Sequence, residues 1–215
     1  MPGIVLNGRF LTRQATGVDR FATELLRAVH AAGMPAPVAL VPAGDGAAPG
    51  SVASAPSAAI STNGPWATRE VGRRRGHAWE QIDLPRAAGE QPLINLCNTA
   101  PALRAQQMVV IHDAASAANP GNYTFAFRTW YRMLLGALMR RSRVVATVSR
   151  FSADELQRHF GPRHPRQGGL EIIGEGGEHI LREPADFGIV QRLGLAGRRY
   201  VLAVGSRSAN KNFAG

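Results

Sequence analysis

An α/β domain built on a doubly wound parallel sheet is the fold class this sequence predicts. Three observations carry the prediction. Short apolar runs of strand length recur along the chain, among them Leu93 to Leu96, Met108 to Ile111 and Val144 to Val148. Between such runs lie segments whose apolar residues repeat at helical spacing, such as Phe21, Leu25, Leu26 and Val29. Gly and Pro mark the joints. Strands that alternate with helices imply right-handed crossovers and a parallel, Rossmann-like sheet with helices on both faces.

The elements follow in order. Ile4 to Leu6 reads as a short buried strand that ends at Asn7-Gly8. Val18 to His30 has the helical period, and Gly33 and Pro35 stop it. Val38 to Val41 is a second strand. Residues 43–65 are rich in Gly, Ala, Ser and Pro and nearly lack large apolar side chains, so they read as a long loop. Residues 66–84 read as one or two helical pieces that end at Pro85. The strands Leu93 to Leu96 and Met108 to Ile111 come next. Tyr123, Phe127, Trp130, Leu134 and Leu138 then form one helical stripe, which reads as a face packed on the sheet. Val144 to Val148 is a strand, and Ser152 with Glu155 reads as the capping box of a helix that stops at Gly161-Pro162. Leu170 to Ile173 is the last strand before a Gly-rich connector. Tyr200 to Val204 reads as a further apolar strand.

Composition narrows the class. The chain has 215 residues, 45% of them hydrophobic, enough for one domain or one and a half. No apolar run approaches the ~20 residues of a membrane span. The start, Met-Pro-Gly-Ile-Val-Leu, lacks a basic segment and enters a strand directly, unlike a signal peptide. Cys97 is the sole cysteine, which excludes an internal disulfide framework and a cysteine-built metal site. A cytoplasmic location is the expectation. The net charge is +10, and Lys211 is the only lysine. A field of this sign favours anionic partners: sugar nucleotides, phospholipid surfaces or nucleic acid. The arginines gather at Arg73–Arg75 and at Arg140, Arg141 and Arg143. Both groups read as solvated faces before they read as a polyanion patch.

Ligands of open α/β sheets sit beyond the carboxyl ends of the strands. Three places qualify. Gly17, with Arg20 one turn on, opens the first helix, where backbone N–H groups favour phosphate. His112-Asp113 ends the Met108 to Ile111 strand. Taken alone, His112 reads as a histidine held by local backbone bonds. Ser149 follows the strand at 144–148 and reads as a helix cap. Aromatic residues interleaved with Arg128 and Arg132 can also mark a membrane or nucleic-acid surface, although packing on the sheet explains their spacing with less.

Seven stretches resemble the glycosyltransferase family 4 pattern, in its order and spacing. They are N-G-R-F-L and G-V-D-R-F near the start, W-E-Q-I-D-L-P at 79–85, L-I-N-L-C-N-T-A-P at 93–101, V-V-I-H-D at 109–113, T-V-S-R-F-S-A-D-E-L at 147–156 and V-G-S-R-S-A-N-K-N-F at 204–213. The resemblance is to the mannosyl and exopolysaccharide branch. It implies a GT-B fold of two Rossmann-like domains: an acceptor domain over 1–174, a connector over 175–198, and the first strand of a nucleotide-sugar domain over 199–215. On this reading the chain is an incomplete form with little transferase activity. The implied reaction is retaining transfer of a sugar from a nucleotide-sugar donor to a glycan or lipid-linked acceptor. No metal or other cofactor is implied, and no nucleic acid. Such a reaction needs cationic and dipolar stabilisation of the departing diphosphate.

The resemblance also implies roles. His112 would contact the transferred sugar, with Asp113 beside it. Gly17, Arg207 and Lys211 would hold the donor diphosphate, and Arg20 and Ser149 would line the cleft. Peripheral contact with an anionic membrane, at its inner face, is a further expectation. Two departures stand out: Arg150 where a Glu often follows the Ser, and G-E-G-G-E-H after the strand at 170–173. Two other readings compete. One is a non-catalytic module that binds polyanions or a membrane surface. The other is a Rossmann-like oxidoreductase, weakened because no G-x-G-x-x-G follows the first strand.

Overall fold

The computed structural model describes residues 3–43, 64, 66–163 and 168–205. They fall into two compact units, divided between Glu175 and Gly176. The first unit holds a seven-stranded, wholly parallel sheet with spatial order β3-β2-β1-β4-β5-β6-β7. The strands are β1 Val5–Asn7, β2 Val38–Pro42, β3 Ala67–Val71, β4 Leu93–Asn95, β5 Gln107–Val110, β6 Val144–Thr147 and β7 Leu170–Ile172. The winding reverses between β1 and β4, so the fold is Rossmann-like and doubly wound, and its topological switch point lies between those two strands.

Side chains alternate across each strand and so sort the core into two faces. Leu6, Val110 and Ala146 face α1, Gly17–Ala31, and pack with its Ala22 and Leu26. Val109 and Val145 face the other way, onto Leu134, Leu138 and Met139 of α5, Phe125–Arg141, and Leu156 of α6, Arg150–Phe160. On that same side Val5 and Leu93 meet Trp79 and Leu84. Trp79 is fully buried, which contributes about 3 kcal/mol. Its indole N–H donates to the Val71 carbonyl at 2.7 Å.

Residues 66–84 differ from the helical expectation. Ala67–Val71 pairs along its whole length with β2, from Val38↔Ala67 to Pro42↔Val71. This edge strand is mostly exposed and carries Arg69 and Glu70, so it lacks the apolar run that marks buried strands. The helix starts only at Gly76. It runs as α2, Gly76–Ala78, through a π-helical stretch, Trp79–Asp83, into α3, Leu84–Ala88. Pro85 does not stop it: the run continues to Ala88, with Pro85 directly after the π-helical stretch, where the regular hydrogen-bond ladder is already shifted. At Gly72, φ is +70° and an added Cβ would lie 2.4 Å from Asp83, so a side chain is excluded where the chain turns from β3 toward the helix.

Two more expectations change. The cap of α6 is Ser149, whose Oγ accepts the Ser152 N–H at 3.0 Å; Ser152 is itself inside the helix. The helical stripe expected from Tyr123 to Leu138 is only half core: Leu134 and Leu138 are buried, Phe127 and Trp130 are exposed, and Tyr123 lies before the Thr124 cap, outside α5. The sheet covers the carboxyl half of this helix and leaves its first two turns without a cover from the sheet. A short helix, α4 (Ala115–Ala118), precedes α5.

The second unit, Gly176–Gly215, contains a 3-10 turn, Glu178–Arg182, and the single helical turn α7, Ile189–Arg192. Tyr200 to Val204 is not a strand there. No partner strand lies within this unit among the described residues, and Val201 is 95% exposed. The loop expected at 43–65 lies almost wholly outside the described residues.

Candidate functional site

The switch point opens between the carboxyl ends of β1 and β4, and the residues there are polar and buried. Asn7 ends β1 and Asn95 ends β4, and the Asn7 amide nitrogen donates to Asn95 Oδ1 at 3.1 Å. The same nitrogen donates to Glu80 Oε1 at 2.8 Å. Thr99 donates to that oxygen as well, at 2.8 Å, while Arg9 donates to Oε2 at 3.1 Å and His77 Nδ1 lies 3.4 Å from it. Burial opposes the charge on Glu80. The contacts with His77, Arg9, Asn7 and Thr99 outweigh that and hold its carboxyl below the usual carboxylate range. A narrow crevice lined by Arg9, Arg13, Glu80 and Cys97 lies above this cluster. Arg13 is itself engaged, at 2.6 Å from Asp19 Oδ1.

The larger cavity, about 170 Å³, lies beyond the end of β5. Asn98, Asp113, Ser116, Tyr123, Phe127, Tyr131 and Leu135 line it. One wall is an aromatic ladder. Tyr123 and Phe127 stack at 5.2 Å between centroids, and Phe127 and Tyr131 stack at 4.2 Å. Phe127 and Tyr131 share a face of α5, being four apart, while Tyr123 lies in extended backbone just before the Thr124 cap and folds back onto Phe127. Burial and the Asp113 carboxylate raise the Tyr123 hydroxyl above its ordinary value, and burial raises that of Tyr131, so both remain donors at neutral pH. Opposite stands Asp113, exposed, its Oδ1 accepting the Ala115 N–H at 2.8 Å. Asn98 adopts φ +68°, a left-handed conformation that asparagine tolerates better than most residues. From there its Oδ1 accepts the His112 N–H at 2.6 Å and ties the ends of β4 and β5 together.

His112 faces inward. It is 6% exposed, its ring meets Phe21 edge to face at 4.8 Å, Nε2 lies 2.9 Å from the Leu96 carbonyl, and Nδ1 lies 3.0 Å from Glu175 Oε1. A carbonyl only accepts, so Nε2 carries a hydrogen. Both ring nitrogens are thus engaged. Gly17 and Arg20 lie at the exposed start of α1, which approaches β4 through the 3.6 Å contact of Cys97 Sγ with the Val18 carbonyl. An added Cβ at Gly17 would meet open space, so packing does not demand a glycine there. Ser149 follows β6 on the same carboxyl side of the sheet and is committed to its cap. Arg207 and Lys211 lie outside the described residues.

The structure thus gathers Gly17, Arg20, His112, Asp113 and Ser149 along one edge of the sheet, and Asp113 alone of these lines the larger cavity. Sequence reasoning missed Asn98, Glu80, Glu175 and the aromatic ladder as site residues. The i, i+4 spacing of Phe127 and Tyr131 signalled half of the ladder; the stack of Tyr123, which lies before the helix cap, left no such mark. No comparable signal exists for Glu175, which meets a histidine 63 positions away.

Comparisons with family models, with curated proteins and with solved structures find no match to this chain. The fold and the cavity therefore define the class alone: an α/β protein with a doubly wound parallel sheet and a polar, aromatic-walled cavity at its carboxyl edge. Among the described residues no helix is long and apolar enough to cross a membrane.

Proposed function

We propose that this chain is the acceptor-binding part of a nucleotide-sugar-dependent glycosyltransferase that retains anomeric configuration. The observation that carries the reading is the cavity beyond β5. An aromatic ladder offers flat apolar faces to the C–H side of a sugar ring. Asp113, Asn98 and the tyrosine hydroxyls offer acceptors and donors to its hydroxyl groups. The resemblance of seven ordered stretches to glycosyltransferase family 4 supports the same reading and points to a mannosyl-type donor.

In this proposal Asp113 accepts a hydrogen bond from an acceptor hydroxyl and orients it. His112 acts differently from the implied direct sugar contact. Its ring is tied at both nitrogens, so it fixes the β5 end and the neighbouring Asp113, and reaches a sugar only if Glu175 moves away. Gly17 with Arg207 and Lys211 would meet the donor diphosphate. The departing diphosphate gains negative charge as the sugar gains oxocarbenium character, so cationic and backbone N–H groups lower that barrier. No metal is required in this scheme.

A titration of the full chain with alkyl mannosides and alkyl glucosides, followed by amide NMR, tests the reading. Shifts confined to the cavity residues are expected. Shifts with inorganic polyphosphate alone, and none with any glycoside, would replace the transferase reading by that of a polyanion-binding module.

A further inference from the structure

We propose that Trp130 and His77 form a second saccharide subsite beside the cavity beyond β5, so that the site takes an oligosaccharide and not a single sugar. The proposal rests on the transferase reading for the ring in the cavity, and it specifies the acceptor as a glycan of at least two rings.

The cavity, at about 170 Å³, is smaller than the roughly 300–1,000 Å³ that encloses a drug-sized ligand, so it has room for one ring. A longer acceptor must continue over the surface, and the aromatic wall shows where. Tyr131, which lines the cavity, meets the His77 ring edge to face at 6.1 Å, and His77 meets Trp130 at 5.8 Å. One run of ring contacts therefore leads from Tyr123 and Phe127 in the cavity wall to Trp130 outside it. Trp130 and Tyr131 both lie within 6.1 Å of the same imidazole, a span that one or two glycosidic steps cover.

The subsite has the two features a pyranose needs. Trp66 and Trp79 belong to the core, whereas Trp130 is 38% exposed and presents its indole to solvent. A pyranose sets its C–H face against such a ring. His77, in α2, supplies the polar group for the hydroxyl rim. Its Nδ1 lies 3.4 Å from Glu80 Oε2 and 3.5 Å from the Arg9 guanidinium. Glu80 is buried and held by Asn7 and Thr99, so the imidazole is fixed before a ligand arrives. Its Nε2 has no hydrogen-bond partner among the described residues, and the side chain is 37% exposed. The rings of Trp130 and His77 meet at 62° and make a corner. A nucleobase gains most between parallel faces, which this corner lacks, and an acyl chain gains nothing from the imidazole nitrogen.

The experiment compares methyl mannoside with linear mannotriose, and methyl glucoside with maltotriose, by calorimetry and tryptophan fluorescence on the full chain. Wild type is expected to bind a trisaccharide about tenfold more tightly than the matching methyl glycoside, as one added ring contact and hydrogen bond imply. Trp130→Ala is expected to lose that gain and keep the methyl glycoside affinity, which also shows that the variant is folded. Trp130→Phe is expected to keep part of the gain. Since Trp66 and Trp79 are buried, the trisaccharide should change the emission through Trp130, and the methyl glycoside should not. Equal affinity for one ring and three in the wild type would overturn the subsite and leave the transferase reading standing. So would a gain that survives in Trp130→Ala, since the number of rings alone would then produce it. Binding of no saccharide would overturn both readings. A change in Trp130 emission with a single-stranded oligonucleotide and with no saccharide would overturn the subsite and assign this surface to a polyanion.

Discussion

The side-chain amide of Asn7 donates to Glu80 at 2.8 Å, and with this one contact the end of the first strand is tied to a carboxylate buried in a π-helical turn. The amide nitrogen has two hydrogens, and its second reaches Asn95 on the neighbouring strand. The two strands that flank the switch point are thus linked through side chains at the level where a ligand would enter. Asn95 continues the chain to Gln107 at 3.2 Å, and Gln107 reaches Ser142 Oγ, also at 3.2 Å.

Glu80→Ala should destabilise the domain by about 3–5 kcal/mol, because Arg9 and Asn7 then keep buried polar groups without their acceptor. Glu80→Gln, which keeps the shape and one oxygen, should cost less. Urea unfolding of the three proteins measures the order.

Stability should fall in acid, and the sign follows from two carboxylates. Glu80 is held below its ordinary value of 4.5 by contacts that outweigh the cost of burial. Asp83 is held below its ordinary 3.8, first by the Arg74 backbone N–H and then by the Arg74 side chain. In that pH range the unfolded chain binds more protons than the folded one. The contribution is complete above about pH 5 and is lost as pH drops through the lower, folded values. The urea midpoint should therefore decline below pH 5, with a shallower slope in Glu80→Gln. A midpoint independent of pH over that range would contradict the assignment.

Cys97 should resist alkylation in the folded protein. Burial, and after it the negative charge of Asp19, push its thiol well above the ordinary range, and only the thiolate reacts. Iodoacetamide at pH 8 should label it slowly in buffer and fast in denaturant, with mass spectrometry as the readout.

The sheet was legible because buried parallel strands are continuous apolar runs, as Met108 to Ile111 and Val144 to Val148 are. β3 was not, because Ala-Thr-Arg-Glu-Val carries charge and is a strand only through its pairing with β2. The helical period of α5 was legible, yet which part of it faces the core was not. Spacing tells which residues share a face, whereas cover comes from elements distant in the chain. The same limit applied at the site. His112-Asp113 stood out at a strand end, but the inward turn of His112 depends on Phe21, Leu96 and Glu175, spread over more than half the chain. Asn98 sat unremarked within a quoted motif, since its left-handed φ leaves no mark in sequence beyond the residue type.

The ladder and the carboxylate should act together on a sugar. Phe127→Ala removes the middle ring of the stack and Asp113→Asn removes the charge, and neither residue is part of the buried core. Each should keep the wild-type fold by circular dichroism.

Calorimetric titration of an alkyl mannoside into wild type, Phe127→Ala and Asp113→Asn measures the central claim most directly. The account predicts measurable binding by the wild type and a loss of about tenfold or more in each variant, as removal of one stacked ring or one charged hydrogen bond implies. Equal affinity in all three proteins would contradict it, because the sugar would then bind somewhere other than the cavity beyond β5.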